Sequence, residues 1–228
     1  MDPLVKTSML EYYDVHASAY DRVYSGEFPG SAIVGSDAYV EDTAALRELI
    51  GRTCTGDFLD VPCGTAFWLS AYAPNVSRAV LIDQSERMLG EARSRATNLG
   101  VDAKCTFLRG DVLNHTWQPE SFDTMLVGFF LSHADADDEA IFFSQLRRGL
   151  KRGGTVVILD SSWNAERAQA KAKQAVVRRT STDGREFDVY KRHFDTADIV
   201  QMAQRHGFRA SVAHTGRAFI AATATLVD

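Results

Sequence analysis

From residue 51 onward, short runs of β-branched and aliphatic residues alternate with longer segments whose apolar positions recur every three or four residues. The runs lie near 57–61, 78–82, 105–109, 122–127 and 154–160, and the helical patterns near 66–73, 85–99 and 137–150. A strand that rejoins its sheet through a helix runs parallel to its predecessor, so the alternation predicts a parallel sheet covered on both faces. A last helix is expected from Ala197 to His206, ended by Gly207, and two closing strands from Phe208 to Thr215 and Arg217 to Val227. Upstream, Met9-Leu10-Glu11-Tyr12-Tyr13 and Ala17-Ser18-Ala19-Tyr20-Asp21 read as two short helical pieces. A break follows at Phe28-Pro29-Gly30-Ser31, then a helix capped by Ser36 and ended by Gly51. The segment 161–195 holds a charged helical stretch from Ala165 to Gln174. It also holds Asp183-Gly184 between two β-prone runs, a strong signal for a two-stranded hairpin. Strand alternation separates Arg178 from Arg179 and puts Arg185, Phe187, Val189 and Lys191 on one side. The expectation is an α/β chain: a helical cap over 1–50 and a core over 51–228, with the hairpin inserted at about 161–195.

Sheets of this kind bind ligands beyond the carboxyl ends of their strands, where the winding reverses. The first strand ends in Phe58-Leu59-Asp60-Val61-Pro62-Cys63-Gly64-Thr65-Ala66, an acidic residue followed by a loop of small residues that a ligand can approach closely. The second ends at Asp83, 23 positions after Asp60, followed by Gln84 and by Ser85 as cap of a helix bearing Met88. A carboxylate there offers two acceptors to the two donors of a ribose diol. The third strand leads into Gly110-Asp111-Val112, and the fourth into Gly128 and then His133. His133 is either a packed side chain or a group able to act as general base or as donor to an anion. The acidic run Asp135 to Glu139 suits the start of a helix, so it reads as structural and not as a metal site.

Net charge is −5 over 228 residues and the basic residues form no single run, which argues against duplex nucleic acid as partner. Cys54, Cys63 and Cys105 are odd in number and lack metal-ligand spacing, as expected of reduced thiols. The start lacks a signal-peptide hydrophobic region, and no apolar run is long enough to span a membrane. A cytoplasmic protein, monomeric or homodimeric, is the expectation.

The stretch Asp60 to Ala66 resembles motif I of the class I S-adenosylmethionine (SAM) methyltransferases, D/E-x-G-x-G-x-G, with Pro62 and Ala66 in place of the first and third glycines. Leu150-Lys151-Arg152-Gly153-Gly154 is similar to a structural element of the same family. The resemblance implies a Rossmann-like seven-stranded sheet and SAM as cofactor, with no metal. It implies cofactor contacts from Asp60, Pro62, Cys63, Gly64, Met88 and Gly128. Asp83 would hold the ribose, Gln84, Asp111 and Val112 the adenine, and Tyr13 and Tyr20 the methionine end. The R-R-T-x-x-D-G-R-x-F hairpin with Lys191, and the tyrosine-rich start, resemble the phosphonate O-methyltransferases of dehydrophos biosynthesis and related small-molecule methyltransferases. That likeness implies Tyr13, His133, Arg178 or Arg179, and Lys191 beside a small anionic substrate. The alternatives are methylation of a phenol or amine with His133 as base, a nicotinamide-dependent oxidoreductase, and a non-catalytic SAM-binding module. A dinucleotide site wants G-x-G-x-x-G spacing, which Pro62 to Ala66 lacks.

Overall fold

The structure, a computed structural model, describes residues 1–27, 33–181 and 183–227. The expected break at Phe28 to Ser31 lies outside them. The cap begins with α1 (Pro3–Val15), whose start is set by Asp2 accepting a hydrogen bond from Leu4 N–H and by proline in the first turn. A 3-10 segment, Ala17–Ser25, follows. The first helical piece therefore starts six residues before the expected Met9. It leaves Leu4 exposed, so no apolar period announces that turn. The next helix, α2 (Ser36–Thr53), differs from expectation at both ends. Ser36 is its first residue, not its cap, and it runs through Gly51 to Thr53.

The core alternates β1 (Gly56–Asp60), α3 (Leu69–Tyr72), β2 (Val76–Asp83), α4 (Glu86–Leu99), β3 (Cys105–Arg109), β4 (Phe122–Gly128), α5 (Ala136–Gly149) and β5 (Leu150–Ser161). After α6 (Ala165–Ala170) come β6 (Gln174–Thr180), β7 (Glu186–Arg192), α7 (Thr196–Arg205), β8 (Phe208–Thr215) and β9 (Phe219–Leu226). The seven-stranded sheet has the order β3-β2-β1-β4-β5-β9-β8. Neighbours from β3 through β5 run parallel, and β9 runs antiparallel to both β5 and β8. The winding reverses between β1 and β4, which opens the sheet's carboxyl edge there. α3 is shorter than expected because residues up to Trp68 form the ligand-side loop. β5 starts earlier than expected: Leu150 already pairs with Phe122 before the register shifts.

Alternate residues of the buried strands feed two cores. Leu126 of β4 packs with Phe58, Leu81 and the inner faces of α2 and α4, while Met125 and Val127 pack with Phe142 and Phe143 of α5 and Met202 of α7. The hairpin β6–β7 stands apart as a two-stranded sheet. It does not stand alone, however. Phe187 and Val189 of β7 bury against Tyr12, with Met9 and Tyr13 beside them, and Asp188 N–H donates to Ser8 Oγ at 2.8 Å. Cap and hairpin thus close over the carboxyl edge as one roof. Among the described residues no helix is long and apolar enough to cross a membrane.

Candidate active site

The loop after β1 is tied to the end of β2 by two backbone donors. Cys63 N–H reaches the Ile82 carbonyl at 2.8 Å, and Gly64 N–H reaches Asp83 Oδ2 at 2.9 Å. Gly64 adopts φ +53°, and a Cβ there would meet nothing within 4 Å. A Cβ on Gly128, at the end of β4, would also meet nothing within 4 Å. Both glycines border one cleft and leave its floor open. Ala66, at the third motif-glycine position, keeps φ +53°, so the backbone holds a glycine-like turn although the residue is not glycine.

Asp83 also accepts from Ser85 N–H through Oδ1 at 2.9 Å. Burial pushes its carboxyl up to about 6 even against these hydrogen bonds. Asp60 accepts from the Tyr72 hydroxyl at 2.9 Å, and burial pushes it up to about 7. Ser85 caps α4 through Met88 N–H and donates to Asp14 Oδ1 at 2.6 Å, joining the cofactor side to the end of α1. The cleft spans about 970 Å³ including its open mouth. Its lining contains nearly every residue expected on the cofactor side: Tyr13 and Tyr20 from the cap, Asp60 and Pro62 to Gly64, Asp83 with Gln84 and Met88, and Val112 and Gly128.

Asp111 is the exception. Its carboxylate accepts from Leu113 N–H at 2.9 Å and from Asn114 Nδ2 at 2.7 Å, closing its own turn. It reaches only the rim, where Gln84 Nε2 stands 3.4 Å away, and does not line the cleft.

Several lining residues carried no local sequence signal. Tyr24 stacks on Phe67 at 4.0 Å and meets Trp68 and Phe129 edge-on, giving the cleft an aromatic wall. Phe129 holds φ +58°, an uncommon backbone for an aromatic residue, just after β4. Thr65 Oγ1 donates to Asp21 Oδ1 at 2.5 Å, and Arg95 pairs with Asp21 while donating to the Thr65 carbonyl at 3.0 Å. Together they clip the 3-10 segment of the cap onto the motif loop.

At the far end stands His133. Its Nδ1 lies 2.7 Å from the Tyr190 carbonyl, which only accepts, so that nitrogen carries the hydrogen. Nε2 then accepts from the Tyr13 hydroxyl at 2.7 Å. Burial, with Lys191 adding repulsion, holds the ring well below its usual pKa, so it is neutral. Lys191 donates to Ser132 Oγ at 2.6 Å and stands 3.8 Å from Asp160 Oδ1. Burial drives its ammonium down to about 7, with the charges of Arg179, Arg167 and Lys171 acting in the same direction. Arg179 donates to the Tyr12 hydroxyl at 3.3 Å, with its guanidinium 5.2 Å from the centre of that ring.

Arg178, an expected substrate contact, is elsewhere. It lies on the exposed face of β6, bound to Asp188 at 3.0 and 3.3 Å and paired with Glu186. Strand alternation turns it away from Arg179. Arg178→Ala is therefore expected to change kcat/KM less than twofold and stability by about 1 kcal/mol or less, as an exposed pair would; steady-state kinetics and urea unfolding check both. No group of three metal-binding side chains is present among the described residues.

Residues 58–154 match the family model of a methyltransferase domain. Demethylmenaquinone methyltransferase of Staphylococcus haemolyticus is 31% identical over 107 residues, 46% of this chain and 43% of that protein. The chain thus spans less than half the length of the curated relatives it matches. Two solved structures superpose over nearly the whole chain. DhpI in complex with SAH has a TM-score of 0.79 at 25% identity, covering 100% of this chain and 99% of that one. DhpI with SAM and HEP has a TM-score of 0.79 at 27% identity, covering 98% and 99%.

Proposed function

We infer that this chain, whose methyltransferase domain stands on the class I SAM-dependent methyltransferase fold, moves the methyl group of SAM onto an ionised oxygen of a small acid. The cleft suits the cofactor. Gly64 and Gly128 leave room where a side chain would intrude, and Asp83 keeps lone pairs free for ribose hydroxyls beyond the two N–H groups it already accepts. When bound, SAM supplies a methyl group activated on a sulfonium, and its sulfur keeps the electron pair as the bond to carbon breaks. The work left to this chain is binding and alignment. Tyr13, Tyr20 and Tyr24 line the cleft on the cap side. Lys191 and Arg179 supply positive charge next to Tyr13 and His133.

One observation carries the acid reading: Arg179, from the inner face of the hairpin, has no carboxylate within ion-pairing distance among the described residues, and Lys191 has one only at 3.8 Å. Partly buried cations that carboxylates do not fully neutralise can take an anion from outside. The likeness to DhpI, solved with SAM and HEP together, supports a site that takes a second small molecule beside the cofactor. A carboxylate or phosphonate is ionised near neutral pH and needs no general base. The geometry at His133 supports the same view, since its only lone pair is engaged by the Tyr13 hydroxyl.

The test is methyl transfer from labelled SAM into two pools, one of small carboxylic and phosphonic acids, the other of phenols and amines. Label is expected in the acids; label confined to the second pool would overturn the reading. His133→Ala adds a second check. Loss of the group that holds Tyr13 is expected to lower kcat/KM on the acid by about tenfold or less, mainly through KM. A general base would instead cost about 10²–10⁴ in kcat.

A further inference from the structure

The cations of the hairpin region divide by the direction they face. Those facing outward are neutralised: Lys173 by Asp195 and Asp198, Arg178 by Asp188 and Glu186, and Arg185 by Asp183, while Arg192 is buried in a pair with Glu139. Those facing inward are not. Arg179 is joined there by two residues of α6 and its end, Arg167 and Lys171, and none of the three has an ion pair among the described residues. Arg167 is 3% exposed. Its Nη2 meets only the Tyr39 hydroxyl at 3.4 Å and the Ala218 carbonyl at 3.2 Å, both neutral. Its Nε, buried, has no partner.

Ser162 follows β5 directly and lies on the same side of the structure. Its N–H donates to the same Ala218 carbonyl at 3.0 Å, and its buried Oγ also lacks a partner. Asp160, the carboxylate beside Lys191, is already engaged by Ser132 N–H at 2.9 Å and Ser161 N–H at 2.7 Å. His193, a further titratable neighbour, is 5% exposed and is pushed down by burial and by the charges of Lys191, Lys171 and Arg167, so it is neutral and does not offset them. Four cations, Arg167, Lys171, Arg179 and Lys191, therefore sit close enough to act on one another, while Glu166, the carboxylate beside Arg167, is committed to Arg217 at 3.0 and 3.1 Å and Asp160 stands 3.8 Å from Lys191. A monoanionic acceptor held by Lys191 and Arg179 would leave Arg167 and Lys171 uncompensated. An isolated buried charge such as that of Arg167 costs several kcal/mol, so such an arrangement persists where a ligand completes it. The two orphaned polar atoms, one a guanidinium N–H and one a hydroxyl, are the donors an oxyanion takes.

We propose that Arg167, Lys171 and Ser162 form a second anion subsite, so that the acceptor is a small diacid: one acid group is methylated beside Lys191 and Arg179 while the other is held by α6 and the end of β5. The inference rests on the acid-acceptor reading above and sharpens it. Methylation removes one negative charge on the Lys191 side, leaving a carboxylate as a neutral ester and a phosphonate as a monoanionic one, while the other acid group stays ionised on the Arg167 side. Single methylation is the expected outcome.

The test compares matched acceptors that differ by one acid group: butyrate against succinate, and ethylphosphonate against 3-phosphonopropionate, each with saturating SAM. The diacid is expected to exceed its partner in kcat/KM by about 10–10²-fold, the range for one charge-assisted contact. Lys171→Gln, at a half-buried position that folding tolerates, should bring the diacid-to-monoacid ratio down by about tenfold. Arg167→Gln and Ser162→Ala should lower the same ratio, chiefly through the diacid's KM. Equal efficiency on both members of a pair, or variants that leave the ratio unmoved, would overturn the second subsite and leave the acid reading standing. No label in any of the four acids, with label in phenols or amines, would overturn both.

Discussion

Lys191→Met is expected to lower kcat/KM for the acid acceptor by about 10²–10³-fold while the Kd for SAM changes less than threefold. The magnitude follows from removing one partner of a buried, hydrogen-bonded charge interaction, which costs about 2–5 kcal/mol. The direction of the split follows from position: Lys191 touches Ser132 and faces Asp160, and does not line the cofactor cleft. Folding should survive, because methionine has similar length and the change removes a charge that burial disfavours. The same residue sets a pH dependence. Only the ammonium form binds an anion, and in the free protein Lys191 is lowered to about 7. Acceptor kcat/KM should therefore be full below about 7 and fall up to tenfold per pH unit above it. Acceptor binding stabilises the ammonium, so binding above pH 7 should take up a proton, which calorimetry in buffers of different ionisation enthalpy measures. Lys191→Arg, whose guanidinium stays protonated, should shift the fall to higher pH. A flat profile from pH 6 to 9 in the unaltered protein, or a Lys191→Met variant that loses SAM instead of acceptor, would sink the assignment.

Asp83→Ala is expected to weaken SAM binding by about 10²-fold, with acceptor KM little changed at saturating SAM. The carboxylate does two things. It holds Gly64 N–H and Ser85 N–H, fixing the motif loop against α4, and it presents its remaining lone pairs to the cleft. Truncation leaves both N–H groups without acceptor and removes a charged one, worth about 1.5–3 kcal/mol. Asp83→Asn keeps the shape but turns one acceptor into a donor against an N–H, so it should also bind SAM poorly. Burial raises Asp83 to about 6, so the accepting, ionised form is present above that pH and is lost as pH falls through it. SAM affinity measured by calorimetry should decline from pH 7 to pH 5 in the unaltered protein, and much less in Asp83→Asn. Unchanged affinity in Asp83→Ala would place the ribose contact elsewhere.

The cofactor half of the site was legible because its signals are short in sequence. Asp60, Gly64 and Asp83 each follow an apolar run directly, and a strand's end in an α/β sheet is where a ligand can sit. Met88 and Val112 came with the same elements. A Gly-Asp turn looks alike whether its carboxylate faces a ligand or caps its own loop; Asp111 accepts from Leu113 N–H and Asn114 and does not line the cleft. Arg178 and Arg179 could be placed on opposite faces by alternation, but which face turns inward depends on Tyr12, Phe187 and Val189 packing across the cap and the hairpin. For His133 the sequence leaves a packed side chain, a general base and a donor to an anion equally open. Its lone pair is engaged by Tyr13, 120 positions away in sequence. Arg167 and Lys171 drew no attention because a charged, short helical stretch reads as a solvated surface.

The sequence by itself determined the order of strands and helices, the parallel sheet, the ligand-bearing strand ends and the hairpin. All of these follow from periods of two and 3.6 residues and from turn residues, which act within about ten positions. Only the tertiary structure decided that cap and hairpin form one roof, that Tyr13 engages His133, and that Arg167, Lys171, Arg179 and Lys191 gather on its inner side while their outward neighbours are ion-paired. Whether a charge is solvated, paired or left for a ligand depends on what the fold brings within a few ångströms of it, and those groups come from segments more than a hundred residues apart.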